Sequence, residues 1–237
     1  MTVNNGGDFY MEMKKIATIY TDFPTKFGVP RQSSLIDELK GTIVFEPEYR
    51  QTEAFRGLNE YSHIWVLWEF SKAIRENWSA TVKPPRLGGK THMGVFATRS
   101  PFRPNPIGLS CVRLEKIEFD DKKGPILHIA GIDMMDKTPV YDIKPYLPYV
   151  DSHEDARAGF GGEVKDYELQ VDFPEELLMR LDVDKREGAV SFLKQDPRPS
   201  HQNIPDKVYK TAYAGMDIHF TVNEGRLTVV DVKEYMI

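Results

Sequence analysis

GVFATRSPFRPNPIGLS, residues 94–110, connects two strand-like runs, and its make-up decides the kind of fold they belong to. Pro101, Pro104 and Pro106 fall within six residues. Each locks its own φ and pushes the preceding residue into extended backbone, so the connection is a stiff strap and not a crossover helix. Gly108 then allows a close backbone approach before the next strand. Working outward, Ile16–Tyr20, Gly41–Phe45, His63–Phe70, Met93–Thr98, Leu109–Phe119 and Ile126–Ile132 are rich in Ile, Val, Thr and aromatic residues and are bounded by Gly, Pro, Asp or Asn. Leu35–Leu39 and Phe70–Trp78 read as short helical turns, and no long stretch keeps a helical period. Short strands with Pro-rich connections and no repeated βα units point to a mainly β fold, a small closed antiparallel β-barrel.

The last third has another texture. Asp166–Phe173 alternates, with Tyr167, Leu169, Val171 and Phe173 on one face, as a half-buried strand does. Pro174, Glu175 and Glu176 suit the start of a helix bearing Leu177, Leu178 and Leu181. A second helix is expected over Arg186–Lys194, stopping at Asp196-Pro197. Met216–Val222 and Leu227–Val232, joined by Asn223-Glu224-Gly225, form an expected closing hairpin. With a boundary near Ser152–Gly162, the expected organisation is a barrel over residues 13–155 and a smaller α+β C-terminal domain over 163–237.

Composition narrows the function classes. The chain has 237 residues, 41% apolar and 28% charged, which is ordinary for a globular protein. Its net charge of −5 excludes a histone-like coat for nucleic acid, but the charge is uneven. Residues 1–150 carry 20 basic and 18 acidic side chains, and residues 151–237 carry 11 and 18. Between Lys72 and Arg103 lie seven basic residues (Lys72, Arg75, Lys83, Arg86, Lys90, Arg99, Arg103) against the single acid Glu76. Such a run is either a solvated face or the footprint of a polyanion. The apolar stretch Tyr61–Trp68 is far short of the roughly 20 residues that span a bilayer, and the N-terminal charges precede no apolar core. One cysteine, Cys111, excludes a disulfide framework and a Cys-rich metal site, and a reducing, cytoplasmic compartment is expected.

Standard nucleotide signatures are missing: there is neither Gly-x-Gly-x-x-Gly between strand and helix nor Gly-x-x-x-x-Gly-Lys-Ser/Thr. The six histidines include no pair at metal-helix spacing, so no metal is expected. His63 and His128 read as structural, and Cys111 as a buried, inert thiol. The chemistry-bearing candidates are three loops. The strap 94–110 offers Arg99, Arg103 and Asn105, two planar guanidinium forks and an amide suited to a carboxylate or phosphate. Gly131–Tyr149 gathers Asp133, Asp136, Tyr141, Asp142, Lys144 and Tyr146, which serve either acid–base work or turn capping. Phe27–Leu35 is a Gly/Pro loop with hydroxyls and Arg31.

Together these segments resemble the TsaA-like family, the tRNA N6-threonylcarbamoyladenosine methyltransferases. The matching strings are GVPRQ (28–32), FRGLNEYSHIWVLW (55–68), VKPPRLGG (82–89), MGVFATRSPFRPNPIGLS (93–110), DKTPVYDIKPYLPY (136–149) and QDPRP (195–199), in family order over about 180 residues. The resemblance implies a β-barrel methyltransferase that uses S-adenosylmethionine, acts on the anticodon stem-loop of tRNA just 3′ of the anticodon, and works as a homodimer. It implies cofactor contacts at Ser33, Ser34, Leu35, Ser71, Lys72, Arg99, Leu109, Ala130, Gly131, Ile132 and Asp133. At Ser71 and Lys72 the family often has His, so only backbone contacts carry over there.

The reaction asks for alignment of nitrogen, methyl and sulfur, and for removal of a proton from an acceptor nitrogen whose lone pair is delocalised. Asp133 and Asp136 are the candidate bases, and Tyr141 and Lys144 would position or polarise the carbamoyl oxygen. Arg31 or Arg103 would meet the threonyl carboxylate, with Asn105 beside them. Two rival readings stand beside this one: a barrel that binds a nucleotide-like metabolite without catalysis, and a methyltransferase for another RNA or small-molecule acceptor.

Overall fold

A computed structural model describes residues 2–3, 9–10, 12–84, 91–163, 167–198, 204 and 206–236. Two short N-terminal strands, β1 (Thr2–Val3) and β2 (Phe9–Tyr10), pair with each other. The barrel consists of β3 (Ala17–Thr21), β4 (Lys40–Phe45), β5 (His63–Glu69), β8 (Ile107–Asp120), β9 (Gly124–Ala130) and β10 (Thr138–Pro145). A small ribbon, β6 (Thr81–Val82) with β7 (Met93–Gly94), stands between β5 and β8 in the chain. The barrel closes in the order β10-β3-β4-β9-β8-β5 with every pairing antiparallel.

Alternation explains the closure. Ile64, Val66 and Trp68 of β5 and Gly108, Ser110, Val112 and Leu114 of β8 point inward, beside Ile19, Ile43, Leu127, Ile129 and Val140. Six strands enclose only enough space for side chains, so the interior is a packed core and not a channel. Two irregularities, between Leu114 and Lys116 on β8 and between Val140 and Asp142 on β10, bend the wall and re-aim the residues they leave unpaired.

The chain leaves the barrel through single helical turns, α1 (Pro148–Asp151) and α2 (Phe160–Glu163). A second sheet follows, in the order β11-β14-β13-β12, built from β11 (Gln170–Asp172), β12 (Tyr209–Tyr213), β13 (Met216–Asn223) and β14 (Arg226–Glu234). The β11–β14 pair is parallel and the others antiparallel. The turn α3 (Glu175–Leu178) and the helix α4 (Arg186–Lys194) precede β12, and α4 buries Ala189, Phe192 and Leu193. The barrel and the second sheet share one apolar cluster: Phe23, from the loop after β3, lies 5.5 Å from Phe192 and 5.1 Å from Tyr213, ring centre to ring centre.

Several expectations need correction. Met93–Thr98 is extended only at Met93–Gly94; Val95–Ala97 coils into a 3-10 turn that buries Val95. Leu35–Leu39 and Phe70–Trp78 form turns and bends without helix; runs this short add too few i→i+4 bonds to offset the cost of nucleation. Where a loop is expected, residues 138–145 form strand β10; Pro139 and Pro145 mask it in the sequence, yet Pro139 sits opposite Thr18 inside the ladder. Tyr167 is 47% exposed and stands outside any strand, with its hydroxyl donating to Asp196 Oδ2 at 3.0 Å. Cys111 is half-buried, on the outward side of β8, and burial followed by the Asp151 charge pushes its thiol pKa up, away from the reactive thiolate. Asp166, Arg86, Lys90, Pro199 and residues 85–89 of the VKPPRLGG string lie outside the described residues.

Candidate active site

At one end of the barrel the chain runs past the last paired residue of β9, Ala130, and Gly131, Ile132 and Asp133 continue alongside β8. The loop bearing Ser33, Ser34 and Leu35 lies across them. The Ser34 N–H donates to the Gly131 carbonyl at 2.8 Å, the Gly131 N–H to the Leu39 carbonyl at 3.0 Å, and the Ser34 hydroxyl to the Cys111 carbonyl of β8 at 2.9 Å. Gly131 is required here. Its φ is +74°, and a Cβ would stand 3.0 Å from Ser34 Cα and 3.1 Å from Ser34 N, against backbone that cannot swing aside. Ser34 itself has φ +59°, a left-handed conformation that costs a residue bearing Cβ about 1 kcal/mol and is held by these bonds.

Beneath the crossing lies a polar chain. The Trp68 indole Nε1–H donates to Ser110 Oγ at 2.9 Å, and the Ser110 hydroxyl donates to Asp133 Oδ1 at 2.6 Å. Gly108 makes the Trp68 position possible, because a Cβ there would fall 2.2 Å from the indole ring. Ser110 is completely buried. Burial drives the Asp133 carboxyl up to about 6, although bonds from Ser110, its own N–H and the Ser33 N–H, together with the Arg99 charge, pull the other way. A carboxylate tuned near neutrality and enclosed by donors fits a group that takes up and releases a proton.

The strap supplies the opposite charge. Arg99 reaches the loop by donating to the Gln32 side-chain oxygen and lies within electrostatic reach of Asp133. Arg103 is used differently: its Nη1 donates to the Val95 carbonyl at 3.1 Å and the Thr98 carbonyl at 2.7 Å, bracing the strap from within. Asn105 is exposed, and its carbonyl accepts the Ile107 N–H at 2.8 Å.

The other candidates fall at several distinct places. Ala130 and Ile132 are buried side chains and offer a ligand only their backbone, whereas Leu35 and Leu109 are each 53% exposed. Ser71 closes the turn after β5 through its N–H to the Glu69 carbonyl at 2.8 Å, and Lys72 is exposed. Tyr141, in the β10 irregularity, is pushed up by burial first and then by the charge of Glu69 and its bond to it, so it stays a protonated hydroxyl. Asp136 accepts the Thr21 N–H at 3.2 Å, tying off the end of β3, and Lys144 pairs with Asp142 at 2.7 Å with its side chain 64% exposed. Arg31 donates to the Asp196 carbonyl at 3.4 Å, at the junction with the second sheet. Sequence reading passed over Trp68, Ser110, Gln32 and Glu69. Ser110 had a visible signal, since it is the polar residue at an inward position of an otherwise apolar alternation.

The cluster suits S-adenosylmethionine. Asp133 and Arg99 set an anion beside a cation, the complement of a zwitterionic amino-acid moiety, while Leu35 and Leu109 offer apolar contact to a purine and the Gly131–Ser34 crossing exposes backbone amides and carbonyls. Among the described residues, no group of three or more His, Cys, Asp or Glu is placed to hold a metal ion, and no helix is long and apolar enough to cross a membrane.

A closed antiparallel barrel that carries its polar site at the rim, on a Pro-braced strap and a crossing loop, defines a β-barrel ligand-binding protein outside the doubly wound nucleotide-binding class. Comparison with known proteins narrows this further. The chain belongs to the TrmO family: residues 18–152 match the tRNA-methyltransferase O N-terminal domain and residues 166–235 the TrmO C-terminal domain. It is 41% identical over 197 residues to a tRNA (adenine(37)-N6)-methyltransferase of Escherichia coli, covering 81% of this chain and 83% of that protein. A protein of the same name from Eikenella corrodens is 45% identical over 166 residues, 70% of this chain and 93% of its own. A Pseudomonas aeruginosa relative whose name refers to S-adenosylmethionine-dependent methyl transfer is 39% identical over 213 residues, 86% of this chain and 90% of its own. The crystal structure of TrmO from P. aeruginosa superposes with a TM-score of 0.77 at 34% identity, covering 96% of this chain and 98% of that one.

Proposed function

We propose that this chain is an S-adenosylmethionine-dependent methyltransferase that methylates N6 of threonylcarbamoyladenosine at position 37 of tRNA. The observation that carries the reading is the Asp133 carboxylate, seated between Ser110, the Ser33 N–H and Arg99 in a chain whose relatives are named for methylation of adenine 37 at N6.

The bound cofactor would supply a methyl group already activated on a sulfonium. Ser33, Ser34, Leu35, Arg99, Leu109, the Ala130–Ile132 backbone and Asp133 would hold it, with Ser71 and Lys72 at the neighbouring turn. The residues' own task is the acceptor proton. Above about pH 6 Asp133 is ionised, and with Ser110, its own N–H and the Ser33 N–H donating to it, roughly one of a carboxylate's four acceptor positions is left to receive the N6 proton as the new N–C bond forms. Tyr141, whose hydroxyl donates to Glu69, would have to turn its single O–H from that carboxylate to meet a carbamoyl oxygen. Asp136, which accepts the Thr21 N–H, is the second candidate base, and Lys144, paired with Asp142, the second candidate for the carbamoyl oxygen. Arg31 is the cation proposed for the threonyl carboxylate, and Arg103 serves the strap.

Two units, residues 13–155 and 163–237, a homodimeric state and a cytoplasmic location complete the proposal. The test is methyl transfer from labelled cofactor to tRNA that carries the threonylcarbamoyl group, run beside tRNA lacking it. Incorporation only into the former supports the reading. Incorporation into neither, with the cofactor bound, points to a non-catalytic binding module, and incorporation into both or into another acceptor points to a different substrate.

A further inference from the structure

Between β5 and the strap, two large aromatic side chains stand in solvent: Trp78 is 54% exposed and Phe96 is 73% exposed. The Phe96 backbone is firmly placed. Phe96 follows Val95, which is fully buried and whose N–H donates to the Ala80 carbonyl at 2.9 Å, next to the β6–β7 ribbon that pairs Thr81 with Gly94. The rings lie 6.2 Å apart, inclined at 31°. The Arg103 guanidinium stands 5.8 Å from the Phe96 ring centre and is pinned by the Val95 and Thr98 carbonyls. On the adjoining turn, the Arg75 guanidinium lies 3.5 Å over the Phe102 ring. Lys72, Arg75, Lys83, Arg99 and Arg103 belong to the same segment of the chain, whose single acid is Glu76.

Exposed aromatic rings are expensive to leave in water, and these two are not drawn into the core that begins one residue away at Val95. Aromatic faces interleaved with guanidinium groups are the chemistry that recognises single-stranded RNA, in which unstacked bases lie on rings while cations follow the phosphates. A lone charge patch would bind any duplex; the rings make the surface selective for a loop. We infer that Phe96 and Trp78, flanked by Arg103 and Arg75, form a stacking platform for unpaired bases of the anticodon loop, next to the nucleotide presented to Asp133. The inference rests on the tRNA reading above and adds to it that these two rings, and not charge alone, set the preference for looped over paired RNA, independent of catalysis.

Binding measurements separate the two. An anticodon stem-loop oligonucleotide and a duplex of the same length are titrated into the full chain with and without cofactor. Phe96→Ala and Trp78→Leu are each expected to weaken stem-loop binding by about tenfold, within the range seen when a stacking ring is removed, and to leave duplex binding and cofactor affinity unchanged. Phe96→Tyr is expected to restore the loss, and emission from Trp78 to be quenched by the stem-loop but not by the duplex. Equal losses for loop and duplex, or no loss for either variant, would overturn the platform. So would a loss that tracks a change in sedimentation, which would make this face a contact between copies of the chain. If a stem-loop that carries the threonylcarbamoyl group binds as expected but receives no methyl group from the cofactor, the platform stands and the catalytic reading fails.

Discussion

Asp133 holds the largest electrostatic cost visible in the site, and the sign of that cost is testable. Its carboxyl titrates near 6 in the folded protein, against an ordinary value of 3.8. Folding raises the pKa, so between about pH 4 and 6 the folded chain holds a proton that the unfolded chain has lost, and stability falls as pH rises through that window. Two units correspond to about 3 kcal/mol at most. Asp133→Asn is expected to flatten this part of the stability–pH curve in denaturant titrations and to remove the acid limb near pH 6 from the rate profile with modified tRNA. A mutant that keeps the acid limb would move the base elsewhere. Gly108 gives a second residue-scale prediction. Alanine there would suit a strand by propensity, worth tenths of a kcal/mol, but its Cβ would sit 2.2 Å from the Trp68 ring. Overpacking wins, so Gly108→Ala is expected to cost about 1–3 kcal/mol and to shift the buried tryptophan emission.

At the scale of elements, what was legible followed period and punctuation. The strands β3, β4, β5, β8 and β9, the helix Arg186–Lys194 and the Glu224-Gly225 hairpin turn, with φ +48° and +79°, all announce themselves by alternation, helical spacing or turn residues. Strand β10 did not, because its prolines and charges imitate a loop and only pairing with β3 and β5 makes it a wall. The site was legible as three loops, but how they meet was not: the Ser34–Gly131 crossing joins residues 97 apart in sequence through backbone bonds that no side-chain pattern encodes. That crossing makes its own prediction. Gly131→Ala combines a left-handed φ with a Cβ 3.0 Å from Ser34 Cα, so the loop must lift. Cofactor affinity measured by calorimetry is expected to fall at least about tenfold, with the barrel still folded; unchanged affinity would separate the crossing from the cofactor site.

On the scale of the whole molecule, the second sheet bears on the barrel through the same loop that carries Ser33 and Ser34. Phe23 is clasped by Phe192 and Tyr213, Lys185 pairs with Asp22 at 2.9 Å, and the Ala214 N–H donates to the Asp22 carbonyl at 2.9 Å. Further along, the buried Thr211 hydroxyl donates to the Phe27 carbonyl at 2.9 Å, and Gly28 passes so close that a Cβ would fall 2.3 Å from that hydroxyl. The second sheet therefore fixes where the loop starts its path toward Gly131. Thr211→Val isolates this link. Valine keeps the volume and strand preference of threonine but leaves the Phe27 carbonyl without its donor, a change worth about 1–3 kcal/mol where the group stays buried. Part of that cost falls on the position of the loop, so the expected signature is a weaker cofactor Kd together with a modest drop in melting temperature. Ile218→Val, fully buried on β13 directly opposite Thr211, supplies the control: it costs about 0.5–1.5 kcal/mol of stability but leaves the Thr211 donor to the Phe27 carbonyl in place. If both variants lose stability alike and bind cofactor equally well, the second sheet is only a prop; if Thr211→Val alone weakens binding, that sheet is part of the cofactor site's frame.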